Sequence, residues 1–201
     1  MRIIKKIKKI LRNVYDNILF TKNKLRFGEI GVGTKVESLS YLTNSRNIYL
    51  GKDVRIFKNS RIELITAYSG ECFMPKLFVG DNAQIHQNCH ITCANSIIIE
   101  KNVIIVSNVT ITDIIHPYED PYTPINYNKI KTLPVLIGEQ TYLYNNVVVL
   151  PGSRIGKHCV IGANSVVSGE IPDYSVAVGS PAKVIKKYNF ESKKWERVFN
   201  G

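Results

Sequence analysis

The chain has 201 residues, enough to bury a core, and 44% of them are apolar. No apolar run reaches the roughly eighteen residues that cross a bilayer, and the start lacks the apolar stretch and small-residue cleavage site of a secretory signal. The net charge of +11 belongs to the ends: residues 1–27 hold nine Lys/Arg against Asp16, residues 183–201 hold six against two acids, and 28–182 hold twelve against thirteen.

A body so balanced is not a basic surface, and no nucleic-acid partner is expected. The four cysteines include no CxxC pair, the usage of reduced thiols in a cytoplasmic protein.

Residues 3–18 place Ile3, Ile4, Ile7, Ile10, Leu11, Val14 and Ile18 at helical spacing, with lysines between them. This predicts a basic amphipathic helix within an extension of residues 1–27. Two uses fit it equally. Residues 1–20 could lie peripherally on anionic lipid at the inner face of the membrane. The apolar stripe could instead pack on the rest of the chain or on a neighbouring subunit.

From Leu50 onward the chain is written in sixes. Units begin at Leu50, Ile56 and Ile62, at Val79, Ile85 and Ile91, at Ile99, Ile105 and Ile111, and then at Ile137, Leu143, Val149, Ile155, Ile161 and Val167. The first position is always Leu, Ile or Val. The fifth is small except at Asn95, Ile115 and Ile171, and the fourth is Asn, Asp or Gly in nine of the fifteen. A period of six fits neither a helix nor an alternating strand. It fits an all-β solenoid, a parallel β-helix with three short strands and three corners per coil. The aliphatic residue would stack on its equivalent about 4.8 Å along the axis. The fourth would turn the corner with positive φ, which Gly accepts freely and Asn better than most.

Ile30 to Lys35 reads as a first irregular unit and 36–49 as the rest of the opening coil. The frame then breaks twice, at 68–78 and at 117–136. The second break is a long loop whose Tyr118, Tyr122 and Tyr127 suggest an ordered segment in contact with something. The domain is expected to span 28–187. Residues 188–201 are expected to form a short C-terminal capping helix, with Trp195 over the open end of the core.

Of the four histidines, His86, His90, His116 and His158, His116 stands at the mouth of the long loop. An imidazole there suits a general base, although position alone favours a surface histidine without a task.

The segment from about Val79 to Lys187 resembles the hexapeptide-repeat O-acetyltransferases, in the branch acting on sugars of cell-surface polysaccharides, with kinship to galactoside and maltose acetyltransferases. The resemblance is carried by Ile111-Thr112-Asp113 through His116-Pro117-Tyr118, Pro124-Ile125, Leu150-Pro151-Gly152, Val160-Ile161-Gly162-Ala163, Ile171-Pro172 and Gly179-Ser180-Pro181-Ala182-Lys183-Val184-Ile185. It implies a left-handed β-helix, a homotrimer with active sites between subunits, acetyl-CoA as co-substrate, no metal, and a sugar or polysaccharide acceptor. His116 then matches the catalytic base, with Asp113 near it to fix its orientation. His86, or Asn88 beside it, matches an acceptor-contacting position. Tyr142 and Asn145, then Ala163 and Ser168, match residues along the pantetheine arm, and Lys183 and Lys186 match those meeting the nucleotide phosphates.

Two departures stand out. The family usually has Asp-His-x-His where this chain has Asp113-Ile114-Ile115-His116, and Trp-Ile-Gly where it has Tyr142-Leu143-Tyr144. Other readings are an acyltransferase for an amino sugar or an antibiotic, an inactive trimeric scaffold, and a zinc hydro-lyase like the carbonic anhydrases on this solenoid. The zinc reading would need His86, His90 and His116 to converge.

Overall fold

Three parallel sheets are visited in strict rotation, so each coil adds one strand to every sheet. In the computed structural model, which describes Ile7 and residues 24–198, the first sheet begins at Glu29–Ile30 and ends at Glu170–Ile171. The second runs from Lys35–Val36 to Ser175–Val178 and the third from Tyr41–Leu42 to Val166–Val167. The helix expected over 3–18, and any contact it makes with membrane or subunit, otherwise lies outside the described residues.

The first position of every unit is a rung of the core. Leu50, Val79, Ile99, Ile137 and Ile155 stack in register in the first sheet, where Ile171, the fifth residue of the last unit, continues their column. Ile56, Ile85, Ile105, Leu143 and Ile161 do so in the second, and Ile62, Ile91, Ile111, Val149 and Val167 in the third. All fifteen opening residues are at most 2% exposed. Each contributes roughly 1.5–3 kcal/mol through burial.

The corners behave as the residue types demand. All nine Asn, Asp and Gly residues at the fourth position have positive φ, from 55° at Asp53 to 77° at Gly152. Gln140 and His158 take the same conformation. Along the corner between second and third sheets the asparagines form a ladder. The Asn88 amide donates to Asn108 (3.2 Å), Asn108 to Asn146 (3.1 Å) and Asn146 to Asn164 (2.9 Å).

The breaks are narrower than the expected 68–78 and 117–136. The first sheet regains its strands at Lys76–Val79 and Val135–Ile137, because these strands carry a second inward residue, Leu77 or Val135, ahead of the repeat. Ile97 plays the same part in Ser96–Ile99.

The C-terminal capping helix expected over 188–201 is not formed by the described residues. Lys183–Asn189 instead turns back antiparallel on Ser175–Val178, and Lys194–Arg197 adds a further antiparallel strand. Cross-strand pairing explains the difference. Tyr188 stands opposite Trp195, with ring centroids 5.5 Å apart, and such a pair stabilises a hairpin more than a short exposed helix could. Trp195 stacks toward His158 at 6.4 Å and does not cap the core.

Candidate active site

The long loop leaves and rejoins the solenoid at one corner. After the third-sheet strand Thr110–Thr112 the chain departs, and Ile114–Ile115 pairs antiparallel with Lys131–Thr132. It is back at Leu133, whose amide donates to the Asp113 carbonyl at 2.9 Å. His116 is the first residue past this small ladder and is exposed.

Against the imidazole stands Tyr68, from the hairpin Ala67–Tyr68 and Glu71–Cys72 that fills the first break. The rings meet edge to face, with centroids 5.5 Å apart and planes at 72°. The Tyr68 hydroxyl donates to the Asn126 carbonyl (3.0 Å), Ser69 donates to the Tyr127 carbonyl (2.7 Å), and Lys129 pairs with Glu71 at 2.8 Å. The two insertions are therefore one structure. The loop is held through its backbone and Lys129, while the rings of Tyr118, Tyr122 and Tyr127 are largely exposed. Sequence reasoning passed over Tyr68, although an aromatic in a frame break was a visible signal.

The expectation that Asp113 orients His116 is corrected by where its carboxylate goes. Asp113 is fully buried. One oxygen accepts from the amide of Ala94 (2.8 Å), and the other from the amides of Asn95 (2.8 Å) and Ser96 (2.9 Å) and the thiol of Cys93 (3.4 Å). An inward-facing carboxylate must be hydrogen-bonded to be tolerated, and the preceding coil supplies the donors. Burial and then the neighbouring carboxylate push the Cys93 thiol well above its usual range. Among the described residues, no hydrogen bond reaches either nitrogen of His116.

A second group of candidate residues lies on the second sheet. Tyr142, Val160, Val176 and Lys186 are register partners on successive strands, a line of three rungs or about 14 Å. Its far end is built by the turn at Gly179, where φ is 102°, and by the Ala182 amide donating to the Val166 carbonyl (2.8 Å). That turn sends the reversed strand back with Lys183 beside Val178 and Lys186 beside Val176. Asn145 and Ala163 are exposed on successive coils at the corner between second and third sheets. Ser168 is not brought to them. It lies just past Val167, at the opposite edge of the third sheet. An apolar track ending in two ammonium groups can hold a long apolar chain that terminates in phosphate.

The ring of Tyr144 leans on that of Tyr142, centroids 4.8 Å apart. Extending the ladder one residue beyond the second-sheet strands puts Phe57, His86, Val106, Tyr144 and Gly162 on a single line. His86 is half-buried and packs on Phe57 at 4.9 Å. Asn88 spends its amide on the asparagine ladder. His90 lies 3.0 Å from the Thr92 hydroxyl, and burial, reinforced by Arg61, lowers its pKa. Among the described residues no three His, Cys, Asp or Glu side chains converge as a metal site. Nor is any helix among them long and apolar enough to cross a membrane.

Comparison with known proteins bears on this arrangement. A family model described as bacterial transferase hexapeptide (six repeats) matches residues 134–169. The chain is 32% identical over 170 residues to the galactoside O-acetyltransferase of Escherichia coli K12, spanning 85% of this chain and 68% of that one. It belongs to the hexapeptide-repeat transferase family. Within that family it is also 42% identical over 129 residues to the putative lipopolysaccharide biosynthesis O-acetyl transferase WbbJ of the same strain, covering 61% of this chain and 66%, just under two-thirds, of WbbJ. Among solved structures it resembles a maltose O-acetyltransferase from Clostridium difficile 630 (TM-score 0.57, 28% identity, covering 82% of this chain and 71% of that one). It also resembles a galactoside acetyltransferase in complex with coenzyme A (TM-score 0.59, 25% identity, covering 88% and 75%).

Proposed function

We propose that the protein is an acetyl-CoA-dependent O-acetyltransferase. It transfers the acetyl group to a sugar hydroxyl of a cell-surface polysaccharide or its precursor, in the cytoplasm. The observation that carries the reading is the pairing of two features. One is an exposed imidazole, His116, whose ring nitrogens make no hydrogen bond among the described residues. The other is the apolar line from Tyr142 to Lys186 with Lys183 beside it.

The imidazole of His116 accepts the hydroxyl proton as the sugar oxygen bonds to the thioester carbonyl carbon. The carbon–sulfur bond breaks, and the same proton passes to the departing thiolate. No covalent enzyme intermediate is needed. Tyr142, Asn145 and Ala163 line the arm of the co-substrate, and Lys183 and Lys186 meet its phosphates. The acetyl thioester supplies the activated acyl carbon. His86, facing out on the line that includes Tyr144, meets the acceptor.

Within one chain, His116 stands at the edge where the third sheet ends, and Asn145 and Ala163 at the edge where it begins. A complete site therefore joins the histidine of one subunit to the line of the next. This supports a homotrimer of left-handed β-helices. The test is an acceptor screen with acetyl-CoA, reading thiol release and mass gain on the sugar, on wild type and His116→Ala. A variant slower by about a hundred- to ten-thousandfold is expected. Turnover near wild type would remove His116 from the role.

A further inference from the structure

We infer that Tyr68 is a positioning residue for His116, and that the hairpin Ala67–Cys72 is the strut that sets the imidazole. The inference rests on His116 being the base.

The usual orienter of a catalytic imidazole is a carboxylate on its second nitrogen. Here the nearby carboxylate of Asp113 is consumed inside the corner by three amides and a thiol. Among the described residues the aromatic ring that meets the imidazole is that of Tyr68. An edge-to-face contact favours one relative orientation of the two rings, and it does so here without a hydrogen bond to either imidazole nitrogen among the described residues. One nitrogen can then accept the proton and the other can face solvent or substrate.

Tyr68 is itself fixed at its far end. Its hydroxyl donates to Asn126, 58 residues away in the loop that begins at His116. Ser69 and Glu71, on the same hairpin, hold Tyr127 and Lys129. Hairpin, loop and imidazole thus close a circuit of interactions. Displacing one member moves the reacting nitrogen, and a small misplacement of a catalytic group lowers the rate out of proportion to the distance moved.

Two variants separate ring from hydroxyl. Tyr68→Leu removes both interactions, and Tyr68→Phe keeps the ring beside His116 while giving up the bond to Asn126. Tyr68→Leu is expected to lower kcat about ten- to hundredfold, with KM for acetyl-CoA and for the acceptor within about twofold and the melting temperature close to wild type. Tyr68→Phe should recover kcat to within about threefold. Without any turnover measurement, the His116 ring-proton resonance should shift in Tyr68→Leu and stay in place in Tyr68→Phe. Wild-type kcat in Tyr68→Leu, alongside an inactive His116→Ala, overturns the positioning role and leaves the base assignment standing. So does a loss that appears wholly in acceptor KM, which would make Tyr68 a substrate-binding residue. An active His116→Ala instead removes the reading on which the role depends.

Discussion

Oδ1 of Asp113 lies 2.8 Å from the amide nitrogen of Ala94, one coil earlier in the solenoid. With Oδ2 accepting from Asn95 and Ser96, the carboxylate closes the corner where the preceding coil turns from third sheet to first. Asp113→Asn should therefore act on stability. Its NH2 group must face at least one backbone N–H, and each amide left unpaired costs about 1–3 kcal/mol. Denaturant unfolding should show a loss of that order, with kcat of the folded fraction little changed. Unchanged stability with collapsed kcat would return Asp113 to the catalytic machinery.

Lys183 and Lys186 reach the proposed cofactor track on a strand that runs backwards against Ser175–Val178. Contacts to distal phosphates are made equally in ground and transition states. The double Ala variant should therefore raise the KM for acetyl-CoA and leave kcat and acceptor KM nearly unchanged. Calorimetric titration with CoA gives the same answer without turnover. Equal affinity of variant and wild type would sink the assignment.

Three thiols are inside the prism and one is outside. Burial pushes Cys89 from the ordinary 9.0 up to about 11 and raises Cys159 as well. A thiol reagent at pH 8 should thus label native protein once, at Cys72, and denatured protein four times. Because the folded thiols resist ionisation, the unfolded chain releases protons first. Stability should hold below pH 9 and fall as pH climbs toward 11. More than one rapid label on the native protein would contradict the burial.

Residues 1–27 carry nine Lys/Arg against one acid around an apolar stripe. Near an anionic surface each basic residue contributes about 1 kcal/mol, screened over about 8 Å at physiological salt. Deleting residues 1–20 should abolish sedimentation with anionic vesicles at low salt, while assembly and activity on a soluble acceptor survive. If the shortened chain becomes monomeric or aggregates, the stripe is an assembly contact.

The coils were legible because their causes are local. An aliphatic residue at each sixth place, and an Asn, Asp or Gly three residues on, specify a rung and a corner without reference to the rest of the chain. The tail was not legible in the same way. Tyr188 and Trp195 favour strands only because they meet across a hairpin, a pairing that helical spacing does not register. Asp113 beside His116 read as a catalytic couple because nothing at that point of the sequence announces the amides of Ala94, Asn95 and Ser96. Tyr68 is joined to the loop across 58 residues, and no short-range pattern encodes such a partner.

The reversal at Gly179 bears on how the solenoid can grow at its second sheet. A stack of parallel coils ends in open strand edges, each a template on which another molecule could continue the same winding. Lys183–Asn189 occupies the second sheet's edge in the opposite direction, and the turn before it bonds Val166 on the third through Gly179 and Ala182. A newcomer arriving in the parallel sense finds that edge already taken, and taken backwards. The hairpin that carries Lys183 and Lys186 thereby also terminates the second sheet, opposing end-to-end winding of one molecule onto another along that face.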